Sequence, residues 1–342
     1  MKQAHRALGP VLAAASILAA PTALAQDSIQ LYGVLDTWAG TSKASGEERS
    51  STVVNSGGLT TSYWGIKGSE RIGDDLKVLF NIEGYLLMDT GAAGRTATDR
   101  MFSRDTWVGV AGSWGELKIG RIINPLFYST ALSNPFGGST RFAPLLTQAW
   151  TLPYGRVVSG DTSWDNTISF ALPARNGVKA TAMWQAGETE FGTSTSNASI
   201  NLVYSKGPLY ATAHAQQVKV GPGVSQVGES VQRAYFVGGS YKFSLARAYA
   251  SYTVARDRTP DQEVKQAQLG VAVPAGGGDI LLSWARARND ALPTVARTRD
   301  TVGLGYDYRL SPRTDVYITS LYDKLSETAS GTSVGAGIRH RF

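Results

Sequence analysis

The sequence predicts an all-β fold, a transmembrane antiparallel up-and-down β-barrel of about 16 strands. Three observations support this prediction. Short segments with a period of two follow one another along the chain, the gaps between them are alternately short and long, and the last strand-like segment runs to the C-terminal residue. The chain has no cysteine, so a closed ladder of backbone hydrogen bonds is expected to supply the stability that disulfides give many exported proteins.

The first 25 residues have the three-part layout of a cleavable secretory signal peptide. Lys2 and Arg6 precede an apolar run at 11–20, and an Ala-Leu-Ala tripeptide ends the segment. The apolar run is too short to cross a bilayer as a helix, which needs about 20 residues. We therefore expect residues 1–25 to be removed and residues 26–342 to form one barrel domain.

Charge and composition exclude several functional classes. The formal net charge is +6, and removal of Lys2 and Arg6 leaves a mild excess that does not indicate a nucleic-acid partner. After the signal peptide, only His214 and His340 could supply imidazole ligands, so we predict no metal site and no cofactor. No later segment has 18 consecutive apolar residues, which argues against a transmembrane helix.

The strand prediction begins at Ile29 and rests on alternation. In the segment 31–38, Leu31 and Leu35 alternate with Tyr32 and Asp36, and the same period continues to the terminal SVGAGIRHRF. Short gaps such as 112–114 and 206–208 separate long ones such as 40–58, 89–102 and 122–162. Short turns at one end and long loops at the other are typical of outer-membrane barrels.

Alternation alone does not distinguish a membrane barrel from a soluble β-sandwich or propeller. Aromatic residues favour the barrel, because Tyr204, Tyr252 and Tyr322 lie towards segment ends on the apolar side, where interfacial girdles occur. The terminal segments favour it too. Both are strand-like, so they can pair and leave no open edge in hydrocarbon.

Several blocks of the sequence resemble the trimeric general porins of Gram-negative bacteria, of the neisserial and related proteobacterial type. The blocks are 31–36, 62–86, 102–121, 303–317 and the C-terminal VGAGIRHRF. The resemblance implies an outer-membrane homotrimer of sixteen-stranded barrels, a third external loop folded into the lumen, and a C-terminal aromatic residue read by the assembly machinery. Outer-membrane lipids are the other expected partners, and Phe342 is the predicted assembly signal.

The gap at 122–162 suits that inward loop, because it is too long and too apolar for a loop in water. Unlike the corresponding loop of many general porins, it has no acidic residue between Ile122 and Gly160, and its only charges there are Arg141 and Arg156. The residues assigned to the constriction loop are Arg141, Arg156, Phe136 and Asp161.

The predicted function is passive diffusion of ions and small hydrophilic solutes through a water-filled channel that prefers anions, because a charged ring favours the opposite sign. The pore-lining charges assigned are Asp36, Lys67, Lys77, Glu83, Asp105, Lys118, Arg121, Asp165, Lys179 and Arg247. The alternative is a specific channel for phosphate or an organic acid, with Arg121, Arg141 and Arg156 binding the oxyanion.

We predict no enzymatic activity. GTSVG at 331–335 matches the Gly-x-Ser-x-Gly outline of a hydrolase, but Ser333 opens a strand that reaches the chain end. Neither the helix nor the acid that the hydrolase arrangement requires can follow it. A turn and strand start is the better interpretation.

Overall fold

The computed structural model describes residues 28–151, 156–188, 195–222, 224, 230–259, 261–291 and 297–342. The predicted signal peptide and the start of the mature chain at Gln26 lie outside these residues.

The described chain is almost entirely β-structure. The strands are β1 (Ser28–Ser42), β2 (Ser51–Ser56), β3 (Tyr63–Arg71), β4 (Lys77–Tyr85), β5 (Asp105–Gly112), β6 (Gly115–Ile123), β7 (Ser163–Ala171), β8 (Val178–Gln185), β9 (Asn197–Lys206), β10 (Leu209–Val218), β11 (Gln232–Lys242), β12 (Arg247–Asp257), β13 (Gln262–Ala275), β14 (Gly278–Ala291), β15 (Arg297–Arg309), β16 (Thr314–Leu325) and β17 (Gly331–Arg341). Two helices, α1 (Pro125–Leu132) and α2 (Pro144–Trp150), lie between β6 and β7. No helix in the described part of the chain is long and apolar enough to span a membrane.

The strands form one closed antiparallel sheet. Strand β1 pairs with β17 from Val34 opposite Arg341 to Thr41 opposite Val334. On its other side, β1 pairs with β2 through residues 37–42 and with β3 through residues 28–34. Because β2 and β3 are two halves of one interrupted strand, the barrel has 16 strands, as predicted.

The chain end completes this closure. The N–H of Phe342 donates to the carbonyl of Gly33, and the N–H of Gly33 donates to the carbonyl of Phe342, each over 3.2 Å. The phenylalanine ring lies directly over Gly33, where an added Cβ would come within 2.8 Å of Cζ. The last residue is therefore part of the seam that removes the open edge of the sheet.

The two faces of the wall differ as the alternation predicts. Leu269, Leu304 and Ile318 on the outer face are 58%, 53% and 56% exposed. On the inner face, Gln266 and Gln268 are buried. A polar interior and an apolar exterior invert the pattern of a soluble protein, and this is the arrangement that a barrel in hydrocarbon requires.

The turns show two differences from the sequence prediction. The hairpin turn 243–246 between β11 and β12 was not predicted, and strands β1 and β2 extend into the predicted loop at 40–58. Long connections nevertheless gather at one end of the barrel and short turns at the other. In an outer-membrane barrel the long loops face the cell exterior.

Candidate functional site

The segment between β6 and β7 owes its two helices to local sequence signals. Asn124 caps α1, and its side-chain oxygen accepts the N–H of Leu126 over 3.0 Å. Pro125 and Pro144 stand at the start of α1 and α2, where proline has the backbone angle that a helix needs and no N–H is missed. The long loop is thus partly helical, which was not predicted from the sequence.

A buried amide network joins α2 to the inner face of the wall. The side-chain N–H2 of Gln148 donates to the carbonyl of Ala285, the carbonyl of Arg299 and the hydroxyl of Thr301, over 3.0, 3.1 and 2.9 Å. Gln266 on β13 donates to the side-chain oxygen of Gln148 over 3.1 Å. These groups hold α2 against β13, β14 and β15.

Aromatic side chains add an apolar contact along the same face. Phe142 is fully buried and meets Trp38 edge to face, with ring centroids 5.0 Å apart. The ring of Phe136 lies over Gly303 and Gly305, where added Cβ atoms would come within 3.2 and 3.1 Å of it. Phe136 is therefore a buried anchor of the segment, and the glycines of β15 provide its space.

A hydrogen-bonded turn fills the interruption between β2 and β3. The carboxylate of Asp36 accepts the backbone N–H groups of Gly58, Leu59 and Thr60 over 2.9, 2.9 and 2.7 Å, and the hydroxyl of Tyr317 over 2.5 Å. Ser139 of the long segment donates to the carbonyl of Gly58 over 2.6 Å. Asp36 has the predicted inward direction, but it is buried and holds this turn in place.

Arginines and acids of the long connections 86–104 and 122–162, together with Arg121 of β6, form a chain of ion pairs. Asp161 accepts from Arg95 over 2.9 Å and from Arg121 over 2.7 Å, and Arg95 also pairs with Asp99 over 2.7 Å. Burial alone would raise the pKa of Asp161, but the guanidinium groups of Arg95 and Arg121 outweigh it and hold that pKa well below its usual range. The carboxylate is therefore ionised at every physiological pH.

The assignment of Arg121 and Asp165 to the lumen was wrong. They pair with each other over 2.6 Å and line a cavity of about 760 Å³ together with the outward-facing Ile119, Ile168 and Trp184. Arg121 has the same parity as Ile119, which should have placed it outside. Asp165 is turned by a break in the β6–β7 register between Gly120 and Ile122, beside Asn166 with φ 50°.

The two remaining predicted acids point inward and have polar partners. Glu83 forms an ion pair with Arg104 and accepts a hydrogen bond from Tyr32. Asp105 accepts from Asn81, from the indole N–H of Trp107 and from the backbone N–H of Ile123, over 3.0, 2.8 and 3.0 Å. The charge of Glu83 is therefore compensated by Arg104, whereas Asp105 is stabilised by neutral donors and keeps its negative charge.

The predicted cations differ in how they are bound. Lys118 pairs with Glu116 over 2.7 Å and lies 4.1 Å from the ring of Trp107. Lys67 lies 4.5 Å from the ring of Tyr32. The remaining wall cations of the prediction are Lys77, Lys179 and Arg247. Among the described residues, neither these three nor Lys67 forms an ion pair.

The two loop arginines lie at different depths. Arg141 is exposed and lines a cavity of about 140 Å³ together with Arg95 and the hydroxyl residues Thr140 and Thr162. Arg156 is partly buried, donates to the carbonyl of Gly160 over 2.6 Å and lies 5.7 Å from the ring of Trp150. Burial lowers the pKa of Arg156 to about 10, so that it remains cationic at neutral pH.

A third cavity, of about 260 Å³, lies between α1 and the inner side of strands β6 to β10. Tyr128 and Leu132 of α1 are 45% and 53% exposed and face this cavity, while Lys118 and Lys179 line it from strands β6 and β8. Both side chains lie on the side of α1 that faces away from β10 and β11, on which the helix packs.

A family model described as Gram-negative porin matches residues 11–328. The chain belongs to the Gram-negative porin family. As a curated relative, an outer membrane porin protein of Bordetella pertussis is 28% identical over 97% of this chain and 99% of its own length. Outer membrane porin protein 32 of Delftia acidovorans is also 28% identical, over 97% of this chain and 99% of its own length.

A solved structure, titled an anion-selective porin from Comamonas acidovorans, superimposes with a TM-score of 0.77 at 25% identity. The alignment covers 92% of this chain and all of that one. The chain is therefore a porin of the bacterial outer membrane, which confirms the predicted family, fold, channel function and location.

Two arginines of the porin wall were not predicted from the sequence. Arg95 and Arg104 come from the loop at 86–104, and Arg104 lies 3.7 Å from the ring of Tyr63 as well as pairing with Glu83. Because both arginines lie in a polar loop, alternation along a strand does not predict where their side chains point. Their contacts are seen only in the structure, where this loop lies close to the end of β4.

Proposed function

We propose that this porin is a water-filled channel for passive diffusion of ions and small hydrophilic solutes, and that it prefers anions. Its role is transport and not catalysis. The segment 122–162 narrows the lumen, with Arg141 and Arg156 as the charges nearest the passing ion and with Phe136 and Asp161 as anchors.

The balance of uncompensated charge supports the anion preference. Among the acids assigned to the lumen, Glu83 is neutralised by Arg104, whereas Asp36 and Asp105 accept hydrogen bonds from neutral donors and keep their negative charge; these two charges are fewer than those of the unpaired cations. Within the described residues, Lys67, Lys77, Lys179 and Arg247 form no ion pair, and neither does Arg141. Unpaired cations produce a positive potential in the lumen, which lowers the barrier for anions and raises it for cations.

Reversal potentials of the purified protein in a planar bilayer test this proposal. With a salt gradient across the membrane, we expect the sign that corresponds to anion flow. A clear preference for cations would contradict the selectivity and leave the channel function intact. Repeating the measurement at high salt should reduce the preference, because ions screen the fixed charges.

A second candidate is a channel with a binding site for one class of oxyanion. The cavity beside Arg141 supports it, because Arg95 lies on the same surface and the hydroxyl group of Thr140 can donate a further hydrogen bond. Arg121 does not contribute, since it lies outside the barrel. Saturating, concentration-dependent block of chloride current by phosphate or a dicarboxylate would favour this candidate, and linear conductance favours the general channel.

The assembled state is part of the same proposal. The chain is exported with removal of residues 1–25, assembles as a homotrimer embedded in outer-membrane lipids, and is recognised by the assembly machinery through Phe342. The position of Phe342 at the closing seam supports this role for the terminus, because the last strand must be placed before the barrel can close. Crosslinking in native membranes tests the trimer.

A further inference from the structure

The cavity between α1 and strands β6 to β10 combines an apolar side with a charged one. Its volume is about 260 Å³, which is just below the roughly 300–1,000 Å³ of pockets that hold drug-sized ligands. Tyr128 and Leu132 of α1 line one side, and Lys118 and Lys179 of the barrel wall line the other. A cavity of this size and lining suits a small ligand with an apolar body and one charged group.

Tyr128 and Leu132 form the apolar side of the cavity. They lie four residues apart on α1, so their side chains are neighbours on one face of the helix. Both are about half exposed to the lumen. The interior of a porin barrel is polar and filled with water, and apolar surface that is left open to water marks a place where a ligand can bind.

Hydrogen bonds on the other sides of α1 hold this apolar surface in position. The hydroxyl oxygens of Ser129 and Thr212 lie 2.9 Å apart, and the side-chain N–H2 of Asn201 donates to Ser129 over 3.0 Å. The indole N–H of Trp150 donates to the hydroxyl of Thr130 over 3.1 Å. Because the helix is already fixed, a ligand that binds to it loses little free energy to ordering the protein.

The charged residues that line the cavity differ in how they are compensated. Glu116 and Lys118 pair over 2.7 Å and largely cancel each other. Asp105 accepts three hydrogen bonds, one of them from the N–H of Ile123, which places it beside the start of α1. Lys179 is exposed and forms no ion pair among the described residues. Its ammonium group is therefore available to an anion.

The register of the sheet sets the distance between Lys179 and α1. Lys179 is opposite Val203, and Val203 is opposite Thr212, the residue that binds Ser129 of α1. Two strand spacings of about 4.8 Å put the backbone of Lys179 roughly 10 Å from that of Thr212. The side chains that face each other across this gap leave room for a ring with one carboxylate.

We propose that this cavity binds small aromatic carboxylates on their way through the channel. The proposal rests on the channel function proposed above and names a class of solute for it. The carboxylate accepts hydrogen bonds from the ammonium group of Lys179, and the ring packs on Tyr128 and Leu132. This contact removes apolar surface of both partners from water. Anions without an apolar body gain nothing from α1.

Block of the chloride current through the purified protein in a planar bilayer tests the site. The probes are benzoate, acetate, which has the carboxylate without the ring, and benzamide, which has the ring without the charge. We expect benzoate to reduce the chloride current in a saturable manner. Acetate and benzamide should need concentrations at least about tenfold higher, because each lacks one of the two contacts.

Two substitutions test the two sides of the cavity separately. Lys179→Gln should weaken the block by benzoate about tenfold, because a charge-assisted contact is lost. Leu132→Asn should weaken it several-fold, because the ring loses apolar contact. Both side chains are exposed, so neither change should impair folding of the barrel.

Matched controls make the same changes outside the cavity. Lys77→Gln removes another inward lysine that forms no ion pair within the described part of the chain. Leu310→Asn changes a leucine that is exposed at a short turn. Benzoate should block both control proteins as strongly as the unaltered porin.

Four results would overturn the proposal. Benzoate could block no better than acetate, or benzamide could block as well as benzoate. The block could be unchanged in both Lys179→Gln and Leu132→Asn, or it could fall equally in Lys179→Gln and Lys77→Gln, which would mean that only the charge of the lumen matters.

The same recordings distinguish this site from the channel function on which it rests. A normal chloride current without a stronger block by benzoate than by acetate would overturn the site and leave the channel intact. A reversal potential that shows preference for cations, with the block by benzoate retained and lost in Lys179→Gln, would contradict the proposed selectivity and support the site.

Discussion

Replacing Gln148 by leucine should release α2 from the wall without disturbing the barrel. Gln148 is buried, its two side-chain N–H groups are shared among three acceptors and its oxygen accepts a hydrogen bond from Gln266, whereas leucine of similar size can make none of these contacts. The carbonyls of Ala285 and Arg299 belong to the paired strands β14 and β15, so their loss of a second donor costs little.

The magnitude follows from the number of bonds. A buried hydrogen bond contributes about 1 kcal/mol net, so loss of the bonds made by the two N–H groups and the side-chain oxygen of Gln148 weakens the docking of α2 by about 3 kcal/mol. This corresponds to a shift of roughly 100-fold in the equilibrium between docked and undocked α2. The strands keep their backbone hydrogen bonds, so the loss of stability should be confined to α2.

Two measurements on the Gln148→Leu protein check this reasoning. Amide hydrogen exchange should accelerate by roughly 100-fold at 144–150 and stay unchanged in the strands, because exchange reports local opening. Single-channel current should become noisier and, on average, larger. Gln30→Leu is the matched control, since Gln30 is exposed and makes no side-chain hydrogen bond among the described residues.

Unchanged exchange at 144–150 would refute the anchoring role of Gln148. Faster exchange at 144–150 with an unaltered single-channel current would mean that Gln148 holds α2 in place but that the segment 122–162 does not narrow the lumen.

Four other predictions follow from the same contacts. Arg141→Glu should reduce the anion-to-cation permeability ratio by up to roughly 30-fold, because one charge about 8 Å from the ion contributes about 0.5 kcal/mol in water, the substitution changes the charge by two units, and anion and cation shift in opposite directions; Arg175→Glu, at a distant turn, should leave the reversal potential unchanged. Asp36→Asn should lower the urea midpoint in detergent by the equivalent of about 2–4 kcal/mol, since three backbone N–H groups lose a charged acceptor; an unaltered midpoint would exclude its structural role. Deletion of Phe342 should reduce the yield of assembled protein in the outer membrane more than the conductance of the channels that form, and a normal yield would count against the proposed signal. Because the pKa of Asp161 is depressed, its ion pairs contribute stability above the ordinary carboxyl pKa and lose it only as pH falls through the depressed value; the carboxyl ¹³C NMR shift of Asp161 should therefore be constant between pH 7 and about 4, and a titration of that carboxyl in this range would contradict the assignment.

Local patterns in the sequence were sufficient to predict the strands of the barrel wall and the direction of side chains that follow the alternation. Side chains on a strand alternate with a period of two, so alternation alone places Leu304 and Ile318 on the lipid face and Glu83 and Lys179 on the inner face. Where the period breaks, the prediction failed. Asp165 follows a register shift, and its direction depends on the backbone angles of neighbours that no alternation rule contains.

The candidate site was harder to predict from the sequence than the wall, because its geometry depends on tertiary contacts. The sequence marked 122–162 as exceptional because a loop rich in aromatic residues does not suit water. It did not show that Gln148 would meet Thr301, 153 residues away, or that Phe136 would lie over the glycines of β15. Pairs so distant in sequence are set by the closure of the whole barrel.

By itself, therefore, the sequence determined the barrel, its two faces and the seam at Phe342, because each follows from alternation and from the need to pair every backbone group in hydrocarbon. Only the tertiary structure decided which charges are free. Glu83 and Asp161 look like free pore acids in the sequence, but their arginine partners lie on other loops and strands, whereas Lys67, Lys77, Lys179 and Arg247 form no ion pair among the described residues.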